Sequence, residues 1–154
     1  YGIVSFAHGD NCESSGPLSA TLGGMNNIIT TGDTDGGAIL GGYENTITYL
    51  SPSDNIKQSA IIGGSGNTVN SFMSVIVGGE NNTISGSRSV ILGGEGINAT
   101  ESDTAYVNRI VLTYSGTPTS SADTSGVPGS ILWDDTYFYY KDNTGWKRLS
   151  GSTF

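Results

Sequence analysis

SVIVGGENNTI (residues 74–84) and, fifteen residues later, SVILGGEGINA (89–99) are two copies of one unit, and their cadence decides the fold. The same string occurs upstream as SATLGGMNNII (19–29), GAILGGYENTI (37–47) and SAIIGGSGNTV (59–69), with SFAHGD (5–10) a degenerate first copy. From Gly9 the steps between first glycines are 14, 18, 22, 15 and 15 residues. A basic period of 14 to 15 therefore carries two insertions, near 30–36 and 49–57.

A unit of this length is too short for a helical-hairpin repeat or a propeller blade. It fits one coil of a parallel β-solenoid, with two short strands and two tight turns. The apolar clusters are short and rich in Ile and Val, which favours strand over helix. The pairs Gly23-Gly24, Gly41-Gly42, Gly63-Gly64, Gly78-Gly79 and Gly93-Gly94 supply a corner at which φ turns positive and a Cβ would obstruct the next coil. Asn27, Asn45, Asn67 and Asn82 fall at one register after those corners. Stacked coils place them in a ladder whose amides satisfy turn backbone groups and one another.

Successive residues of a strand face opposite ways. In Val75-Ile76-Val77 and Val90-Ile91-Leu92 both faces are apolar. One face fills the coil, and the other needs a second partner. A coil of about 15 residues also encloses little core, so several chains are expected side by side, each forming one wall of a shared prism. A carboxylate at Ile76 or at Val77 is expected to abolish assembly, whichever of the two faces the axis.

The Ser-apolar-apolar-apolar-Gly-Gly coils, over roughly Ser5 to Thr100, resemble the left-handed parallel β-roll heads of trimeric autotransporter adhesins and related modules of bacteriophage tail fibres. After Thr100 the repetition stops, and the strand-like stretch 103–113 resembles the neck segment that follows such heads. Residues 115–126 are rich in Ser, Thr, Gly and Pro and read as a surface link. Asp134-Asp135 and Asp142-Asn143-Thr144-Gly145 are turn signals between three β-rich runs, hence a small meander. Its ending resembles the terminal module of phage fibre and other virion-appendage proteins, with matches at Asp135, Tyr137, Tyr139, Trp146, Lys147 and Arg148.

The expected fold is thus all-β: a trimeric parallel β-solenoid, or β-roll, of about six short coils, followed by a small C-terminal β-meander. The expected organisation is a head over 1–101, a neck-like strand and link over 102–126, and a tip module over 127–154. The resemblance implies a homotrimer in a virion tail fibre, or on a cell surface, meeting other fibre or virion proteins and a host glycan or outer-surface protein.

Composition narrows the function classes. With 6 Lys+Arg against 14 Asp+Glu and a net charge of −8, the chain lacks the cationic surface that nucleic acid requires. No run of 18 apolar residues exists, so membrane insertion by a helix is not expected. The start, YGIVSFAHGD, has no basic stretch before an apolar one and reads as no signal peptide. Because it opens on Tyr1 rather than Met, the chain reads as a fragment, a processed product or part of something longer.

No cofactor, metal or catalytic constellation is expected. Cys12 is the single cysteine and His8 the single histidine, with no third ligand or orienting group placed by spacing. The 63–69 string resembles a calcium-binding repeat, but Thr68 stands where the carboxylate belongs and the period is wrong. Asp33 and Asp35 lack the distal Glu of a calcium loop. Asn81 and Asn98 sit in glycosylation sequons, which matter only in a eukaryotic secreted protein. The competing enzymatic reading is a polysaccharide depolymerase, needing two carboxylates about 5 to 10 Å apart. Glu44, Glu80 and Glu95 follow the Gly-Gly turns, and stacking puts Glu80 and Glu95 within roughly 5 to 7 Å. A pure spacer is the third reading. The favoured one is a structural and host-receptor-binding module. Its candidate contacts are the inserted Asp33, Asp35, Tyr49, Asp54 and Lys57, mounted on loops of a rigid scaffold, with Tyr137, Tyr139 and Trp146 of the meander.

Overall fold

A computed structural model describes residues 5–30, 36–48, 58–112 and 116–149. The chain divides into two compact units, Tyr1–Arg109 and Ile110–Phe154.

The first unit is a parallel β-solenoid of about six turns. The chain alternates between two sheets. One stacks seven described strands in chain order: Phe6–Ala7, Ala20–Thr21, Gly36–Ile39, Gln58–Ile61, Val75–Ile76, Val90–Ile91 and Ala105–Tyr106. The other stacks six: Glu13–Ser14, Ile28–Thr30, Thr46–Thr48, Thr68–Val69, Thr83–Ile84 and Asn98–Ala99. Pairing is parallel throughout and in step with the repeat, Val75 lying between Ala60 and Val90, and Thr83 between Thr68 and Asn98. The last rung of the larger sheet extends the solenoid beyond residue 101, since Ala105 and Tyr106 pair with Val90 and Ile91.

One side chain per strand points inward. Ile39, Ile61, Ile76 and Ile91 meet Ile29, Ile47, Val69, Ile84 and Ala99, all fully buried. Each such isoleucine contributes roughly 1.5–3 kcal/mol of burial. This column is closed differently at its ends. Toward the N-terminus it shrinks to Thr21, whose hydroxyl donates to the Glu13 carbonyl at 3.2 Å, and to Ser14, 2.7 Å from Ser19. Toward the C-terminus Tyr106 lies against the core, and its hydroxyl accepts the Glu101 N–H at 2.9 Å.

Both corners are lined by buried polar ladders. Each side-chain amide of Asn45, Asn67 and Asn82 donates to the preceding asparagine's Oδ1 at 3.1 Å, and to the Gly64, Gly79 and Gly94 carbonyls of the following coil at 2.9–3.0 Å. The backbone N–H of the same residue donates to that Oδ1 as well. Ile97 ends the series by giving its backbone N–H to Asn82 Oδ1 at 2.9 Å. At the opposite corner the hydroxyls of Ser59, Ser74 and Ser89 each accept the N–H one coil on, from Ser74, Ser89 and Thr104, at 3.2 Å.

The glycine pairs divide their labour, which the sequence alone does not reveal. Gly24, Gly42, Gly64 and Gly79 have φ between +86° and +101°, and a Cβ there would collide with the carbonyl oxygen of the next coil's second glycine. These positions need glycine. Gly23, Gly41, Gly63 and Gly78 lie outside the left-handed region, and a Cβ on any of them would meet nothing within 4 Å. The chain itself gives no reason for glycine there. Just before each ladder asparagine, Asn26, Glu44, Gly66 and Asn81 sit at φ of 54–64°. There the N–H turns back, donating to Asp10, Met25, Tyr43 and Ser65 of the preceding coil.

The second unit is an antiparallel meander of Ile131–Trp133, Phe138–Asp142 and Gly145–Leu149.

Asn67→Ala orphans the Asn82 N–H, at about 1–3 kcal/mol, and takes the side-chain amide from the Asn45 oxygen and the Gly79 carbonyl, which keep the N–H groups of residues 67 and 65. With the lost amide bonds, urea unfolding followed by circular dichroism should show a loss of about 2–4 kcal/mol. Asn70→Ala, at a side chain whose buried oxygen has no partner, should be within about 0.5 kcal/mol of wild type.

Candidate functional site

The outer face of the seven-stranded sheet carries an apolar column. Leu22, Leu40, Ile62, Val77 and Leu92 occupy the same place in successive coils and are 43–56% exposed. Their backbones are locked rung to rung: Leu22 N–H donates to Ile39 at 2.9 Å, Leu40 to Ile61 at 3.0 Å, Ile62 to Ile76 at 2.9 Å and Val77 to Ile91 at 2.9 Å. Two residues earlier, Ala20, Ala38, Ala60, Val75 and Val90 share this face and are half-buried. On the other side of the column runs the row of first glycines with open space over each. The doubly apolar strands therefore resolve cleanly: Ile76 belongs to the chain's own core, and Val77 faces out.

Around the Gly-Gly corner a third row follows, with Asp10, Met25, Tyr43, Ser65, Glu80 and Glu95 bridged in sequence. Glu80 and Glu95 are direct neighbours, as stacking requires. Glu44 is not in their row. It lies one residue beyond Tyr43, in the left-handed conformation, and its carboxylate raises the Tyr43 hydroxyl pKa through a hydrogen bond. His8 heads the apolar column, donating its backbone N–H to Thr21, and its ring stacks on Phe6. Cys12 takes the asparagine's place in the first coil, with Sγ 3.6 Å from the Asp10 and Gly24 carbonyls. Among the described residues no three or more His, Cys, Asp or Glu gather as a metal site. No helix among them is long and apolar enough to cross a membrane.

The inserted candidates Asp33, Asp35, Tyr49, Asp54 and Lys57 lie outside the described residues. Their flanks do inform. The insertions open from the same corner of neighbouring coils, where Gly36–Ile39 pairs with Gln58–Ile61 over four residues and Ile28–Thr30 with Thr46–Thr48 over three.

In the meander, Tyr139 and Trp146 are 7% and 4% exposed, so their faces are occupied by the unit itself, while Tyr137 is half-buried. Residues 116–126, read from sequence as a surface link, form a strap over them. Gly116 N–H donates to the Trp133 carbonyl and Trp146 N–H to the Ser121 carbonyl, both at 2.9 Å. Lys141 Nζ donates to the carbonyls of Asp123, Ser125 and Gly126 at 2.9, 2.6 and 3.2 Å, over the Trp146 ring, whose Nε1 also donates to Ser125. Asp134 accepts from the Tyr139 hydroxyl at 2.6 Å, from Thr117 Oγ1 at 2.8 Å and from the Thr136 and Tyr137 N–H groups. Arg148 covers one face of Tyr137 at 4.2 Å. The Tyr139 bond above all, then the Thr136 N–H, holds the Asp134 carboxyl well below the usual range. Hydrogen bonds from Ser125 and Thr119 do the same for Asp123.

Comparison of this chain with protein families, curated proteins and solved structures finds no match.

Both tryptophans, Trp133 and Trp146, lie in the meander, so their emission reports that unit alone. Carboxyls with depressed folded pKa values stabilise fully above the unfolded value of about 4 and cease to as pH falls below it. The melting temperature seen by tryptophan emission should therefore fall between about pH 5 and pH 2. Asp134→Asn should flatten that slope. An unchanged slope would mean that Asp134 does not fasten the strap.

Proposed function

We propose that this chain is a non-catalytic structural and host-receptor-binding module of a homotrimeric fibre, a virion tail fibre by its resemblance. The observation that carries this reading is the five-rung apolar column beside a row of glycines, four of which, Gly23, Gly41, Gly63 and Gly78, nothing among the described residues requires. A surface repeating every coil is matched by a partner with the same repeat, and another copy of this chain has it. The bare glycines leave room for that copy to approach. The resemblance to trimeric β-roll heads sets the number at three. Copies held side by side present identical outer corners in parallel, converting weak contacts with a host glycan or surface protein into avidity. The inserted segments 30–36 and 49–57, with Asp33, Asp35, Tyr49, Asp54 and Lys57, are the proposed receptor contacts.

Val77→Asp and Ile76→Asp separate this reading from a monomeric rod. Ile76→Asp places an unpaired charge in the solenoid core and should unfold it, costing upward of about 3 kcal/mol. Val77→Asp should keep its β-type circular dichroism yet run as a single chain. On a glycan array, wild type should bind without shortening the glycans, and Val77→Asp should bind about 100-fold more weakly. Shortened glycans would make the protein a depolymerase, and silence across a broad array would make it a spacer.

A further inference from the structure

The meander has a second unpartnered surface, opposite its strap. In an antiparallel sheet, opposed residues share a face, as do residues two apart along a strand. The register therefore places Leu132, Tyr139, Lys141, Trp146 and Arg148 on the strapped side. It places Ile131, Trp133, Phe138, Tyr140, Lys147 and Leu149 on the other. There, among the described residues, Ile131, Phe138, Tyr140 and Leu149 are exposed large side chains. An open groove of about 500 Å³ adjoins this face, between Ile110–Leu112 and Trp133–Phe138. Ile110 and Val111 in its wall are 70% and 68% exposed.

We infer that this bare face packs against the meander units of sister chains, as a second self-association surface distinct from the solenoid column. The inference rests on the proposed assembly through the solenoid. Charge permits such an occupant. The face carries two charged residues of opposite sign, Lys147 and Asp142, and residues 110–154 carry four aspartates against two lysines and one arginine, a net −1. Size favours it. Large side chains at these exposures, with the groove wall, offer on the order of 600 Å² of apolar surface. That is at the upper end of what a monomer leaves bare, about 300–600 Å², yet falls short of the roughly 800 Å² per partner that holds two free proteins together. Such a face binds a partner already held nearby, and copies joined through their solenoids hold their meanders at about millimolar effective concentration. Chemistry argues against a sugar. Glycan sites need convergent polar groups, whereas this face is chiefly aliphatic and aromatic, and Trp133 Nε1 is buried without an acceptor instead of offered to a ligand.

The test is thiol alkylation in the full chain, with Cys12→Ser as background. Ile131→Cys and Tyr140→Cys probe the bare face, and Thr144→Cys, on the exposed turn, sets the unprotected rate. Each is measured in the assembled chain and again with Val77→Asp added. At positions 131 and 140 alkylation should be at least about tenfold slower in the assembly than in the single chain, as at a dry interface core. Position 144 should react equally in both. Assembled chains whose positions 131 and 140 react as fast as the single chain would overturn this inference and leave the solenoid assembly standing. A background chain that is itself monomeric would overturn the assembly and the inference together. Slowing that appears only on adding purified lipopolysaccharide would make the face a glycan site and overturn the proposal.

Discussion

One buried amide per coil sets the geometry of the solenoid. The oxygens of Asn27, Asn45 and Asn67 each accept two bonds from the next coil and that of Asn82 one, so that coil must return its own asparagine, or a backbone N–H, to within about 3 Å. The spacing from the first glycine of a corner to the asparagine is four residues in every laddered coil, from Gly23 to Asn27 through Gly78 to Asn82. Coil length is free to vary only away from that corner. Both insertions fall on the far side, where longer strands precede and follow them. The second glycine is part of the same constraint, because the carbonyl receiving the amide passes where its Cβ would stand.

The two units are stabilised by different chemistry. Among the described residues, the buried polar groups of the solenoid are hydroxyls and amides, paired along the stacking direction. The ion pair between Arg88 and Asp103 of successive coils lies on its exposed surface. The meander instead gathers its strap through ionised groups, with Asp134 and Asp123 accepting and the Lys141 ammonium donating into three carbonyls. A repetitive rod with a bare apolar column suits the proposed association of copies along its length. A charge-fastened module beyond it tolerates a different packing on each face.

Much of this architecture was legible in the repeat. The cadence of Gly-Gly and Asn predicts the coil, its parallel register and the amide ladder, because each copy shows the same residue where the same bond is needed. The seventh rung was not, since Ala105-Tyr106 lacks a following Gly-Gly pair and is recognised only by its pairing with Val90-Ile91. Periodicity also leaves open which of Ile76 and Val77 is inside, since both are apolar. The meander misleads more. Tyr139 and Trp146 look like available aromatics in a string, yet register sends them to one face and Phe138 and Tyr140 to the other. The strap was hidden because its fastening uses backbone carbonyls, which any Ser/Thr-rich segment carries. The candidate contacts on the insertions are the readings that depend least on register, being placed only by where the period breaks.

The most direct test of the whole account is the mass of the wild-type chain in solution. Sedimentation equilibrium at micromolar concentration should return three times the 15.9 kDa chain mass, with full β-type circular dichroism. A folded species of 15.9 kDa at every concentration would contradict it, because the apolar column and its glycine row would then face water without a partner.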